Sequence, residues 1–366
     1  MDPRSPASVR AAVGSVLAAF FATPPAASYA TATVQAAYAD TRSTGVLVTV
    51  RSPEVTFTHT FPAAKHTRYS SLVAAVRRAV AAAAAAGEPL PPTTFLVIVN
   101  DGSHPRAAAF GPARHWRSWS RLIPAPLGNA RGAGAGYGTE LTGWDAHVAN
   151  ALVPSRGAYP WAGKTPRVLF RGNLAMQTHA LGTCNDGGAC RRASSWRQVA
   201  RGVAWAAAAG HPDVLDVGFT SASAGHSAAA DALSGAPPTV PPVPFLEQQG
   251  WRALLVVGSN QDWAERVRPL LFLGSVLLLH AAETVEWFTP LLRPWVHYVP
   301  VGLHFEDLVP AAEWAVAEDA GGREMVARMN ALAEGVLTEA VMVDYWADAI
   351  RMYGARQAAA DAAAAR

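Results

Sequence analysis

Residues 269–302 read PLLFLGSVLLLHAAETVEWFTPLLRPWVHYVPVG. The apolar run Val276, Leu277, Leu278, Leu279 is far short of the ~20 residues that cross a bilayer, and it has the length of a strand buried on both faces. Residues 295–301 read as a second such strand. Two doubly buried strands at this spacing imply a parallel sheet, because helices packed on both faces are what keep such strands dry.

The rest of the chain repeats that alternation. In the first half, GVLVTV (45–50) reads as a strand, SLVAAVRRAVAAAAAAG (71–87) as a helix closed by glycine, and TFLVIVND (94–101) as a buried strand ending in turn formers. Residues 102–160 lose their period and are rich in Gly, Pro and Trp, so a first domain ends there. The second half restarts with a strand at 167–173, a helix at 194–209 and a strand at 214–218. It continues with a strand at 252–258, a helix at 262–273 and strands at 275–280 and 295–301. Strands alternating with helices define an α/β layered architecture. Residues 305–353 read as helices broken at Gly321-Gly322 and Gly335, and AAADAAAAR at the end reads as a frayed terminus. The expected division is 1–158, 159–345 and a C-terminal helix and tail at 346–366.

Composition then removes whole classes. With 366 residues, 51% of them hydrophobic, each of two domains has its own core. A net charge of +3, carried by dispersed arginines and only two lysines, Lys65 and Lys164, offers no stripe for a nucleic-acid backbone. Cys184 and Cys190 can form one bridge at most, so neither a disulfide framework nor a zinc site follows. Arg4 and Arg10 precede an apolar run at 11–22, which reads either as a secretory signal peptide or as an amphipathic first helix stopped by Pro24-Pro25. No other stretch approaches a membrane span.

Open α/β sheets bind ligands outside the carboxyl ends of their strands, so chemistry is sought just after each strand. Asp101 follows TFLVIVN and is either a turn residue or a carboxylate placed to take a proton from a hydroxyl. Arg171 follows VLF; its planar fork suits a diphosphate, the alternative being a surface ion pair, and Gly172 permits close backbone approach. Gly258-Ser259-Asn260 form a strand-to-helix turn with free N–H groups, an anion site in type though not a G-x-G-x-x-G fingerprint, and Arg266 follows within reach of the same anion. Gly274 and Ser275 open the strand at 276. Glu286 is either a solvated loop acid or an acceptor for ribose or sugar hydroxyls. Trp295 reads as core, and His297 as a satisfied core histidine. No Ser-His-Asp order, H-x-x-x-H spacing or P-loop lysine is present.

These residues together resemble glycosyltransferase family 90, the protein O-glucosyltransferases and capsule xylosyltransferases. The resemblance rests on GSVLLLHAAETVEWFTPLLRPWVHYVPV, on LFRGN, on ALGTCN and on FLVIVND. It implies a GT-B fold, with two Rossmann-like domains facing across a cleft. It also implies a UDP-glucose or UDP-xylose donor, a protein or glycan acceptor, no required metal or other cofactor, inversion at the anomeric carbon, and an endoplasmic reticulum or Golgi lumen location. Carried onto this chain, Asp101 is the general base, and Arg171 and Arg266 hold the diphosphate. Three features depart from the family pattern. Gly102-Ser103-His104 separate Asp101 from Pro105, Ala264 stands where the family has serine, and only Trp144 stands in for its aromatic acceptor region. Those departures define an alternative, a protein of the same fold that binds nucleotide-sugar or carbohydrate without turnover.

Overall fold

A computed structural model of the chain describes residues 5–41, 43–62, 67–99, 107–111, 114–115, 122–127, 141–175, 180–183, 191, 193–223, 231–258, 264–281 and 284–366. The first half opens with helices α1 (Pro6–Phe21) and α2 (Thr31–Asp40) and strands β1 (Gly45–Arg51) and β2 (Glu54–Thr58). Helix α3 (Thr67–Ala85) and strands β3 (Thr93–Ile98), β4 (Ala109–Gly111), β5 (Arg114–His115) and β6 (Leu122–Pro124) follow. The apolar run at 11–22 lies mostly within α1, which buries Val9, Val13, Leu17, Phe20 and Phe21 on one face.

Five of these strands form one sheet in the order β2-β1-β3-β4-β6. In β1 the side chains of Val46, Val48 and Val50 are buried while those of Leu47 and Thr49 are half-exposed, the period-2 signature of a strand. Phe95, Leu96, Val97 and Ile98 of β3 are buried in succession, as a central strand requires. The sheet is mixed: β3 runs parallel to β4 but antiparallel to β1. Strand β2 was not visible in the sequence reading; it folds back on β1 as a hairpin, Val50 opposite Val55.

Helices α4 (Trp144–His147) and α5 (Val153–Ala158) lead into the second half, which contains strand β7 (Thr165–Ala175), helix α6 (Ala200–Ala208), strands β8 (Leu215–Ser223) and β9 (Trp251–Val256) and helix α7 (Val267–Leu270). Strands β10 (Val276–His280), β11 (Thr284–Val285) and β12 (Val299–Val301) lead into helices α8 (Leu308–Ala317), α9 (Asp319–Val336) and α10 (Glu339–Ala364). Five strands make a wholly parallel sheet ordered β12-β10-β9-β7-β8, as the apolar runs required.

Several expectations are corrected. The helix placed at 262–273 is helical only over Val267–Leu270 among its described residues, and residues 264–266 are not. Residues 295–297 form a turn, not strand, and the strand begins at Val299. Trp295 sits at φ 61° and is 53% exposed, so it is not core. Arg293 N–H donates to His297 Nδ1 (3.0 Å) and Trp295 N–H to Tyr298 O (2.7 Å), which curls the segment. Helix α9 runs through Gly321, Gly322 and Gly335 without a break, and Gly322 lets the Trp161 ring approach, since a Cβ there would lie 3.1 Å from it.

The terminal AAADAAAAR does not fray. Helix α10 runs to Ala364 and crosses back to the first sheet, where Tyr353 donates to Ala108 O (2.6 Å) and Asp361 accepts from Thr31 N–H (2.7 Å). Gln357 caps three main-chain groups of that half, accepting from Thr94 N–H and donating to Thr94 O and Tyr29 O. Trp346 and Tyr353 pack with Phe95, Phe110 and Tyr29 at centroid separations of 5.1–6.4 Å, and burying each such ring is worth ~2–3 kcal/mol. A second link joins the halves: β11 pairs antiparallel with β5, Thr284 opposite His115.

Candidate functional site at the carboxyl edge of the parallel sheet

Strand β7 carries Phe170, Arg171 and Gly172 along the sheet, and β9 ends two residues before Gly258, so the expected ligand edge is built from these residues. Arg266 is brought directly to it. Its Nη1 donates to Arg171 O (2.8 Å), and its guanidinium lies 5.1 Å from the centre of the Phe170 ring, a cation–π contact. Gly172 sits close under the Phe170 ring: a Cβ there would lie 3.1 Å from it, so the ring would have to shift slightly.

The fork of Arg171 is turned sideways along the sheet. It donates to Asp216 Oδ1 (2.7 Å), Asp216 O (2.8 Å) and Phe170 O (3.0 Å). Arg171 and Arg266 are therefore adjacent, but the Arg171 charge is compensated by Asp216 on the neighbouring strand.

Arg201, which the sequence reading did not single out, pins this edge from α6. Its Nε donates to Gly258 O (2.9 Å) and its Nη1 to Asn173 O (2.7 Å) and Oδ1 (2.8 Å), tying the ends of β7 and β9 together. An arginine on the face of α6 that also buries Ala200 and Ala204 was the available signal, since a buried cation has to be hydrogen-bonded.

A cavity of about 210 Å³ opens beside Gly258 and is lined by Ala264, Val267, Leu279, Glu286 and Tyr298 among others. Glu286 is 5% exposed, and burial pushes its carboxyl up from 4.5 to about 8, against the pull of Arg268 and, more weakly, Arg68. In its protonated form, which burial favours, the group can donate as well as accept. Arg268 is itself fully buried, over the ring of Trp144 (5.9 Å), with Glu286 and Glu265 as its favourable charges and Arg68 as an unfavourable one. Arg68, from the first turn of α3, completes the row: it donates to Glu265 (3.4 Å) and to Val99 O (3.2 Å) at the end of β3.

Other expected site residues fall elsewhere. Gly274 and Ser275 precede β10 and so lie at the amino edge of the parallel sheet, away from the arginines. There Ser275 Oγ donates to Trp251 O (2.7 Å) and Gly274 N–H to Gln249 Oε1 (3.2 Å). The 5%-exposed Lys164 donates to Gln249 O and to Ser275 Oγ (3.3 Å). Trp144 is 1% exposed and donates to Leu337 O, so it is core and not an acceptor-pocket wall. Asp101, Ser259, Cys184 and Cys190 lie outside the described residues.

A parallel sheet with Arg171 and Arg266 together at its carboxyl edge, beside a cavity holding a buried carboxyl, has the layout of an α/β ligand site. Comparison with known families gives the assignment: the model of glycosyl transferase family 90 matches residues 135–362, well over half of the chain, and the chain belongs to that family. Residues 45–124, which supply the five strands of the first sheet and Asp101, lie outside the matched stretch.

Among curated proteins, the chain is 30% identical to rat protein O-glucosyltransferase 1 over 88 residues, 24% of this chain and 22% of that protein. It is also 30% identical to mouse protein O-glucosyltransferase 3 over 91 residues, 25% of this chain and 18% of that protein. An uncharacterized protein of Invertebrate iridescent virus 3, 035R, is 51% identical over 39 residues, 11% of this chain and 4% of that one. The matched stretch thus spans about a fifth of the length of the O-glucosyltransferases. No helix of the described residues is long and apolar enough to cross a membrane.

Proposed function

We propose that the protein is an inverting, UDP-sugar-dependent glycosyltransferase that moves glucose or xylose to a protein or glycan hydroxyl. The observation that carries this reading is Arg266, fixed at the carboxyl edge by Arg171 O and the Phe170 ring, in the segment whose Ala264 and Val267 line the cavity that contains Glu286. In this reading Arg266 faces the diphosphate and offsets the charge that builds on departing UDP. Arg171 anchors it, and its own fork reaches the diphosphate only by exchanging its contact with Asp216. The protonated Glu286 serves the ribose or sugar hydroxyls, where a neutral carboxyl both donates and accepts.

Asp101 takes the proton of the acceptor hydroxyl as that oxygen attacks the anomeric carbon, and the bond to UDP breaks on the opposite face, inverting the centre. The arrangement is a GT-B one, with residues 1–158 on the acceptor side, 159–345 on the donor side and α10 returning to the first sheet. The reaction needs no metal, and the setting is the endoplasmic reticulum or Golgi lumen. The test is UDP release from UDP-glucose and UDP-xylose. Wild type releases UDP, whereas Asp101→Asn binds UDP with unchanged affinity and loses turnover by ~100-fold or more. UDP binding without turnover on any donor and a broad acceptor panel would establish the non-catalytic reading instead.

A further inference from the structure

One side chain joins the two halves of the site. Arg68 stands at the first turn of α3, in the first half, with its side chain 10% exposed. One nitrogen of its fork donates to Val99 O (3.2 Å) and the other to Glu265 (3.4 Å) in the second half. Val99 is 2% exposed and its N–H donates to Thr44 O (3.0 Å), which ties the end of β3 to the segment before β1. In the sequence Val99 lies two residues before Asp101, and Glu265 immediately before Arg266. Pairing of β5 with β11 and the packing of α10 on the first sheet are further links between the halves.

We propose that Arg68 and Glu265 are positioning residues: a buried ionic strut that holds the end of β3, two residues before the proposed base in the sequence, in register with the segment carrying Arg266. The proposal rests on the glycosyl-transfer reading for its kinetic consequence and on the geometry alone for the strut. A planar fork is what the geometry needs, since a single ammonium cannot reach a carbonyl and a carboxylate in two different directions with the same rigidity. Glu265 is also the carboxylate that Arg68 and Arg268 share. Removing it leaves two buried cations facing each other, while removing Arg68 leaves Glu265 with Arg268, so the Glu265 variant is the more damaging.

The experiment compares wild type with Arg68→Met, Arg68→Lys, Glu265→Gln and the double variant Arg68→Met/Glu265→Gln. Three readouts are UDP release from UDP-glucose, UDP affinity by calorimetry, and hydrogen exchange by mass spectrometry. A sub-ångström to 1 Å misplacement lowers turnover by roughly 10- to 100-fold, while UDP affinity changes by less than about threefold, because Arg266 keeps its own contacts with Arg171 O and the Phe170 ring. Arg68→Lys lies between wild type and Arg68→Met, and the double variant is no slower than Glu265→Gln.

Exchange in residues 264–270 rises when Arg68, distant in sequence, is changed. Losses that multiply in the double variant, UDP affinity falling in step with turnover, or exchange at 264–270 unaltered in Arg68→Met would each overturn the strut. Should wild type release no UDP from any donor, the glycosyl-transfer reading falls by itself, and the exchange result still decides the strut. Arg68→Lys, which keeps the charge, supplies the reading if a neutral variant does not fold.

Discussion

Glu286→Gln isolates the buried carboxyl at the cavity wall. Folding raises that group from an ordinary 4.5 to about 8, chiefly by burial. Between those two values the folded protein holds a proton that the unfolded chain has released, so stability falls as pH rises through the interval. The whole gap, at ~1.36 kcal/mol per pH unit, amounts to about 5 kcal/mol. Integrating the part between pH 6.5 and 8.5 gives a loss of about 2 kcal/mol, the slope flattening as the group itself ionises near 8. Other groups tilt the same curve the opposite way. His280 is held at about 4 by burial, and its contribution grows up to its ordinary 6.5; Lys164, lowered to about 8 by burial, adds stability from there toward 10.5.

Those slopes are common to wild type and variant, and cancel in the difference between them. Glutamine keeps the shape of the protonated acid, with a donor and an acceptor, so the fold is preserved. The assay is urea unfolding of both proteins at half-unit steps from pH 6.5 to 8.5. The wild-type stability, relative to Glu286→Gln, declines by about 2 kcal/mol across the range. A difference that stays flat would refute the reasoning, because it would mean that the carboxyl is ionised throughout.

Lys164→Met tests the amino edge in the same way: the wild type gains stability from about pH 8 toward 10.5 as unfolding comes to require proton uptake, and the variant loses that rise in the same urea series. Gly202→Ala places a Cβ 1.9 Å from Trp196 O, a main-chain atom that cannot yield cheaply, and costs ~3 kcal/mol or more. Gly210→Ala, with nothing within 4 Å, is the control and leaves the urea midpoint close to wild type.

The parallel sheet was legible because its strands are apolar on both faces. Ala253, Leu254, Leu255, Val256 and Val276, Leu277, Leu278 are buried in unbroken runs, a pattern that only a doubly covered strand tolerates. The closeness of Arg171 and Arg266 was legible in part: Arg266 follows β9, while Arg171 lies within the adjacent β7, which runs on to Ala175 rather than ending at Phe170. The first sheet was less legible. Its β2 alternates between exposed and half-exposed side chains with no buried position, so hydrophobicity carries no trace of the hairpin. Residues 295–298 misled because Trp-Val-His-Tyr has strand composition, while a left-handed Trp295 and the imidazole of His297 close a turn that no period records.

Direction along a strand explains why Gly274 and Ser275 lie apart from Arg171 and Arg266. In a parallel sheet every residue preceding a strand gathers at one edge and every residue following it at the other. Gly274 and Ser275 precede β10 and join Lys164 and Gln249; Gly258 and Arg266 follow β9 and join Arg171. The charge row shows where the same logic stops. Glu265 and Arg268 flank Arg266 in the sequence, but their partners Arg68 and Glu286 stand 197 and 18 positions away, and nothing in composition pairs them. Only the crossing of the two halves brings four ionisable groups into one buried line. That set runs from Val99 O, at the end of β3, to Glu286 at the cavity wall.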